Sequence, residues 1–415
     1  LQLKSAFSKT APLFKSINQV STCSFSGLGS NRKPTKKDLD RYEVVVVGGN
    51  LGAIFSRHLD DDSYGRYSTM VVFDQPINQS GPLRLLYEQQ RCTKADYLIN
   101  AKLAINVYTA SEVAHVEKFL PEESAIVLKN GRKIGYNQLV IAMGLKEDAG
   151  LVPGLEEAWA DVGHPVYLPK DHPSWRSSQD PYPKRHYNFS GGDAFFCIPP
   201  YPYAGEVGGL NFFISNEIWK QQLASGKLSP KHSLTVVNAN DTFCQYHEET
   251  DKFIKERIQK LGIKVDYGWN LKSIDKNKQE AVFENIKTGK KETRPYGQLY
   301  SLFPTKPHES LVQAGLAHKD SNNLLDVNRL TLQHNKYKNI FGIGDVNNVP
   351  TTKTFYGGFH QIHVVRHNIQ RNLKGQALNA EYSGYSKSPI YLGQNSLTFA
   401  VHYYDQKASF SNLID

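Results

Sequence analysis

The chain has 415 residues, 40% hydrophobic and 21% charged, an ordinary globular composition long enough for two or three domains with substantial cores. It has no run of about 18 apolar residues, which excludes a bilayer-spanning helix and leaves surface attachment open. The net charge of +9 invites a nucleic-acid reading, but residues 1–37 hold seven Lys or Arg and no acid. The remainder is therefore nearly neutral, and no nucleic-acid partner is expected.

The opening segment is also rich in serine (Ser5, Ser8, Ser16, Ser21, Ser24, Ser26, Ser30), with Leu3, Phe7, Phe14 and Ile17 at loosely amphipathic spacing. This reads as an organellar targeting segment, the alternative being a solvated basic tail. The first residue is Leu1 and not Met, and part of the leader is expected to persist as a basic arm, 1–40, held against a partner surface. A polar, glycine-bearing arm does not order itself cheaply. Cys23, Cys92, Cys197 and Cys244 are widely spaced and form no C-x-x-C pair, so neither structural disulfides nor a zinc site is expected.

Arg41 to Ala53 reads RYEVVVVGGNLGA. Four valines running into a glycine pair and a helix start are the first strand-turn-helix of a dinucleotide-binding domain, 41–150. The turn presents backbone N–H groups to a pyrophosphate, and Asp74, closing MVVFD, is placed to hold a ribose hydroxyl. Against the G-x-G-x-x-G pattern the chain has Gly48, Gly49, Asn50, Leu51, Gly52 and Ala53. Asn50 stands where the middle glycine lets backbone approach the phosphates. A core strand and turn with no dinucleotide remains the alternative at these residues. Ala104 to Lys133 alternates apolar and polar residues and predicts an antiparallel meander. The strand Gln138 to Ile141 then leads into Ala142, Met143 and Gly144, a small-residue turn that returns beside the first glycines.

Residues 151–192 are rich in Pro, Trp, Tyr and charge, and predict a long connecting loop, a type of segment often bound to a partner. A second α/β unit, 193–300, follows: strand Ala194 to Ile198, helix Gly208 to Leu223, strand Ser233 to Asn238, helix Glu248 to Leu261 and strand Lys264 to Tyr267. Its first strand enters Pro199, Pro200, Tyr201, Pro202 and Tyr203 where an NAD-binding copy carries glycines, so no NAD is expected. Gly205, Gly208 and Gly209 lack the strand-to-helix position of the fingerprint. Gln279 to Pro295 predicts a hairpin. Residues 301–380 return to the first domain through the strand NIFGIGD, ending at Gly344 and Asp345, and a helix from about Phe355 to Asn372. An aspartate there can accept hydrogen bonds from a ligand's hydroxyls, or serve only as a cap. Residues 381–415 supply C-terminal strands and a tail.

The strings YEVVVVGG, KQEAVFEN (Lys278 to Asn285) and LTLQHNKYKNIFGIGDVNNVPTTKT (Leu330 to Thr354) resemble mitochondrial sulfide:quinone oxidoreductase over roughly Tyr42 to Asp405. The resemblance implies two Rossmann-like dinucleotide-binding-type domains with β-meander insertions, and FAD between the glycine turn and the GIGD aspartate. In that family two cysteines beside the flavin take sulfide as a persulfide and electrons pass to quinone, chemistry that needs two sulfurs. Here Tyr203 and Val346 stand at those positions.

Other departures point the same way. Phe355 and Tyr356 replace small residues after the Lys353-Thr354 pair, Gly81 to Gln90 (with Arg84) replaces an aromatic quinone segment, and the family's C-terminal membrane helices are expected to be missing. Gly48, Gly49, Asn50, Asp74, Gly144, Gly344, Asp345 and Lys353 are the positions that map to cofactor binding, with Asn50 and Phe355 counting against bound FAD. The expectation is a non-catalytic subunit of a mitochondrial assembly, peripheral at the inner membrane through its partners and contacting other subunits through 1–40 and 151–192. A respiratory complex is the host expected by association. The alternative is an active FAD-dependent oxidoreductase that passes electrons from a non-sulfide donor to quinone.

His360, His363 and His367 fall on one face of the last helix. They are expected as histidines packed beside a core and not as metal ligands. Tyr182, Tyr187, Tyr201 and Tyr203, with Lys184, Arg185 and His186, are expected as an interface surface.

Overall fold

Strand β1 (Asp40–Val47) forms because its β-branched run can be buried on both faces, and Val44, Val45 and Val46 are wholly enclosed. Each contributes about 1.5–3 kcal/mol of hydrophobic stabilisation. The computed structural model describes residues 40–63, 66–75, 77–79, 98–100, 105, 109–161, 163–169, 189 and 191–411. The basic arm before Asp40, the stretch Gly81 to Gln90, Cys23, Cys92 and the 182–187 cluster lie outside the described residues.

In chain order, β1 is followed by α1 (Leu51–Ser63), β2 (Thr69–Phe73), β3 (Thr109–Val113), β4 (Val116–Leu120), β5 (Ala125–Leu128) and β6 (Lys133–Ile141). Then come α2 (Leu155–Ala160), β7 (Val166–Tyr167), β8 (Ala194–Ile198), α3 (Phe212–Ala224), β9 (Leu234–Asn238), α4 (Glu248–Leu261) and β10 (Lys264–Tyr267). The three strands β11 (Trp269–Asp275), β12 (Glu280–Asn285) and β13 (Lys291–Pro295) precede β14 (Gln298–Ser301) and β15 (Ile340–Gly342). Helix α5 (Phe355–Leu373) and the strands β16 (Ser386–Tyr391), β17 (Leu397–His402) and β18 (Ser409–Phe410) close the described chain.

The first sheet runs β3-β2-β1-β6-β5-β4, with β15 also paired to β6. Strands β3, β2, β1, β6 and β15 are parallel, while β4-β5-β6 is an antiparallel excursion. The chain thus leaves this domain after β6 and returns to it at β15, and α5 packs on α1 over the same core. The second sheet, β7-β14-β8-β9-β10, is parallel throughout. Strand β8 is enclosed on both faces. Phe196 and Ile198 enter one core while Phe195 and Cys197 enter another, as the two-residue period of a strand requires. The antiparallel β11-β12-β13 sheet extends from this domain, and β16-β17-β18 packs against its first core through Ile390, Leu392 and Ala400.

Three expectations are corrected. Thr109–Val113 is not part of a meander; it pairs in parallel with β2, leaving only β4 to β6 antiparallel. The first helix of the second domain begins at Phe212, because Gly208 and Gly209 belong to a separate tight turn, Glu206–Gly209. The 151–192 connection contains α2 and β7, since Leu155, Ala158 and Trp159 bury one helical face in a core.

Candidate functional site

The eight positions singled out from sequence converge on one cleft of about 570 Å3 between the first domain and the turn after β8. Gly48, Gly49, Asn50 and Asp74 lie on it at the ends of β1 and β2, and Gly144 lies on it after β6. Gly344, Asp345 and Lys353 line its other end. Parallel order produces this convergence, since β1, β2, β6 and β15 all end on the same side of the sheet.

Gly48 is fixed by the fold itself. Its N–H donates to the Val72 carbonyl at 2.8 Å, its φ is +134°, and a Cβ there would stand 2.1 Å from the Ala142 carbonyl oxygen. No side chain fits at that crossing of strand ends. Asn50 supplies the first carbonyl of α1, accepting from Ile54 N–H at 3.2 Å. Its own Oδ1 is enclosed and finds no donor among the described residues. Leu51, next in the chain, reaches across to the opposite wall. Ideal Cβ atoms at Gly344 and Gly358 would lie 2.8 and 2.3 Å from its Cδ1, so both glycines are required for Leu51 to sit there.

At the other end, the Gly344 N–H donates to Gln361 Oε1 at 2.7 Å, and Asn347 Nδ2 donates to the same oxygen at 3.0 Å. This holds the Asp345 turn against α5. Thr354 caps α5 by accepting from the Gly357 N–H at 3.0 Å. Lys353 is 2% exposed and donates from Nζ to the Asn347 carbonyl at 2.6 Å. Burial pulls its ammonium below its ordinary range, while the charges of Asp345 and Glu206 hold it up. Desolvation pushes the Asp345 carboxyl up, with Lys353 opposing.

Glu206 is the residue that sequence reasoning missed. It is 1% exposed, neither carboxyl oxygen has a well-aligned hydrogen bond, and burial pushes its carboxyl up to about 8 despite Lys353. Its φ of +33° follows Gly205 at +76°. The only sequence signal was an acid inside the otherwise uncharged run from Ala194 to Asn216. His308, also unforeseen, lines the cleft, and its Nε2 hydrogen-bonds the Gly144 carbonyl at 3.0 Å. Gly205, Gly208 and Gly209, which match no fingerprint, form part of the cleft wall.

Tyr203 and Val346 are 2% and 1% exposed and belong to different cores. Tyr203 is therefore interior and not part of an interface surface, a correction that follows from its packing with Val207 and Leu210. Cys244 lies near Tyr203 and Glu206, and burial, then the Glu206 charge, hold its thiol well above the ordinary range. Cys197 is enclosed in another core and is pushed up by burial too. Both are free thiols, and neither is a ready thiolate. His360 rests on Tyr385, His363 on His58 and Phe359, and His367 bonds Asn379. Among the described residues no group of three ligating side chains is arranged to hold a metal, and no helix is long and apolar enough to cross a membrane.

Residues 222–368 match the pyridine nucleotide-disulphide oxidoreductase family model. The chain is 30% identical over 365 residues to the mitochondrial sulfide:quinone oxidoreductase of Mus musculus, covering 87% of this chain and 78% of the mouse protein. Among solved structures, it resembles a chain of the Tetrahymena thermophila mitochondrial ATP synthase F1Fo tetramer, with a TM-score of 0.85 and 50% identity over 90% of this chain and 89% of that one. The sulfide:quinone oxidoreductase of Aquifex aeolicus shares the fold, with a TM-score of 0.65 at 16% identity over 90% of this chain and 86% of the other.

Proposed function

The chain belongs to the sulfide:quinone oxidoreductase family, and from that premise we propose that it serves as a non-catalytic subunit of a mitochondrial ATP synthase, peripheral at the inner membrane. The observation that carries this reading is the 50% identity, across nine-tenths of the chain, to a component of such an assembly. It directs the expectation of a membrane-bound host toward the ATP synthase in place of a respiratory complex. The loss of catalysis is supported by Tyr203 and Val346 at the family's sulfur positions, both enclosed in cores, and by the enclosed thiols of Cys197 and Cys244. A sulfide-to-quinone relay needs an accessible thiolate and a second sulfur to resolve it.

FAD is the cofactor that the family implies. The residues present fit one half of it. The glycine turn, the start of α1 and Asp74 offer a diphosphate and ribose site. Leu51 lines the cleft between the glycine turn and Gly344, and the bulky Phe355 and Tyr356 line it as well.

The test is to tag the full chain in its own cells and resolve detergent-solubilised mitochondrial membranes on native gels. Co-migration with F1 and Fo subunits in fixed proportion is the expected result. Migration as a free protein would refute the assignment. Sulfide-dependent quinone reduction by the isolated chain would refute the loss of catalysis. The second reading, an active flavin-dependent reductase using a non-sulfide donor, draws on the convergence of all eight positions on one cleft. It requires flavin in the purified protein and reduction of that flavin by a donor.

A further inference from the structure

A second cavity, of about 300 Å3, opens beside the cleft, and Leu145, Lys146 and His308 line both. Its wall is held by the turns that follow β8 and β14. Pro200, Pro202 and Pro304 have fixed φ there, and the Thr305 hydroxyl donates to the Pro202 carbonyl, tying one turn to the other. A cavity built this way is formed before anything enters it, which lowers the cost of binding.

The lining has an apolar part and a charged part. Val152, Leu271, Leu311, Leu324 and Val346 are buried and supply hydrocarbon. Val346 stands at one of the family's sulfur positions, and no cysteine lines the cavity among the described residues, so it offers no sulfur chemistry. The charged part is Lys146, Lys272 and Lys306, with no acid among the lining residues. Lys146 and Lys306 are partners in register on a short antiparallel ladder, Lys146–Glu147 with Thr305–Lys306, so their side chains leave the same face side by side. Like charges placed opposite one another repel. Lys306 is matched, since its Nζ reaches the Asp148 carboxylate at 2.6 Å and Glu309 adds attraction. Lys146 and Lys272 form no ion pair among the described residues. Asn270, Asn322 and Asn323 add amide donors to the same lining.

We propose that this cavity binds a small carboxylate with an apolar chain, such as a medium-chain fatty acid, its head at Lys146 and Lys272 and its chain against the leucine and valine wall. The head supplies the negative charge that the pairing of Lys146 with Lys306 lacks. An inorganic anion would match the lysines and leave the apolar wall wet, whereas an alcohol would cover the wall and leave the lysines unmatched.

The experiment is calorimetric titration of the purified full chain with sodium octanoate, against sodium butyrate, 1-octanol and inorganic phosphate. Octanoate is expected to bind most tightly. Each methylene added between butyrate and octanoate is expected to raise affinity by up to about fourfold, and added salt to lower it. Lys146→Gln is expected to weaken octanoate binding about tenfold. The same substitution is expected to hold or raise the unliganded melting temperature, because it removes the repulsion with Lys306. Lys272→Gln, at an exposed position, is expected to weaken binding about threefold. No binding of octanoate, equal binding of 1-octanol or phosphate, or an unchanged affinity in Lys146→Gln overturns the proposal. None of these outcomes bears on co-migration with the ATP synthase, so this proposal and the proposed function fail separately.

Discussion

Acidification should weaken this protein through two histidines that the fold stacks in its interior. The rings of His247, before α4, and His402, on β17, lie parallel within 5° at a centroid separation of 3.8 Å. His402 is fully enclosed and His247 is 6% exposed. His402 hydrogen-bonds Thr250 at 2.7 Å through Nε2 and Ser386 at 3.2 Å through Nδ1, whereas His247 Nε2 has no partner among the described residues. Burial lowers His247 to about 4, with Glu249 opposing, and lowers His402 to about 3, with His247 adding to the effect. A lowered folded-state value means that the unfolded chain takes up protons first, so stability is complete above pH 6.5 and declines as pH falls below it. At pH 5 the unmatched interval is about 1.5 pH units per ring at about 1.4 kcal/mol per unit, or about 2 kcal/mol for each histidine. Chemical denaturation of the isolated chain at pH 7 and pH 5 measures the loss. His247→Phe keeps a stacked ring without a titrating group and is expected to reduce the pH-dependent loss by about 2 kcal/mol. An unchanged pH dependence in that variant would refute the reasoning.

Glu206 has the opposite sign. Its carboxyl keeps a proton in the folded state up to about pH 8, while the unfolded chain releases it near pH 4.5. Stability is therefore full below pH 4.5 and falls as pH rises toward 8, by up to about 1.4 kcal/mol per unit. Glu206→Gln is expected to flatten this slope in denaturation curves at pH 6 and pH 8, and an unaltered slope would show that the carboxyl is ionised in the fold. Gly48→Ala, whose Cβ would stand 2.1 Å from the Ala142 carbonyl oxygen in a left-handed conformation, is expected to cost about 2–4 kcal/mol, read as a fall in melting temperature. A neutral substitution would mean that the β1 and β6 ends do not cross as described. Cys197 and Cys244 are expected to resist a thiol-specific reagent in the native protein and to react on unfolding; rapid native labelling of Cys244 would reopen a sulfur role beside Tyr203.

The amino-acid sequence by itself determined the first domain and the location of its cleft. A run of four valines into Gly48-Gly49 has few other solutions than a buried parallel strand turning into a helix, and Asp74, Gly144 and Asp345 mark the ends of its neighbours. These signals are local, since each depends on a strand's own period and the turn that ends it. The family was legible for the same reason, through contiguous strings at Lys278 and Leu330.

Only the tertiary structure decided what lines the cleft and what surrounds it. Leu51 reads as an ordinary first-turn residue until Gly344 and Gly358 are brought beneath it from the far end of the chain. Glu206 becomes a buried acid without a well-aligned hydrogen bond only when Tyr203, Val207 and the C-terminal strands close over its turn. His247 and His402 stack because α4 and β17 belong to different units that share one core. Contacts between distant segments leave no periodic trace in either segment, so burial, pairing and the resulting shifts in proton affinity emerge only when the chain is packed.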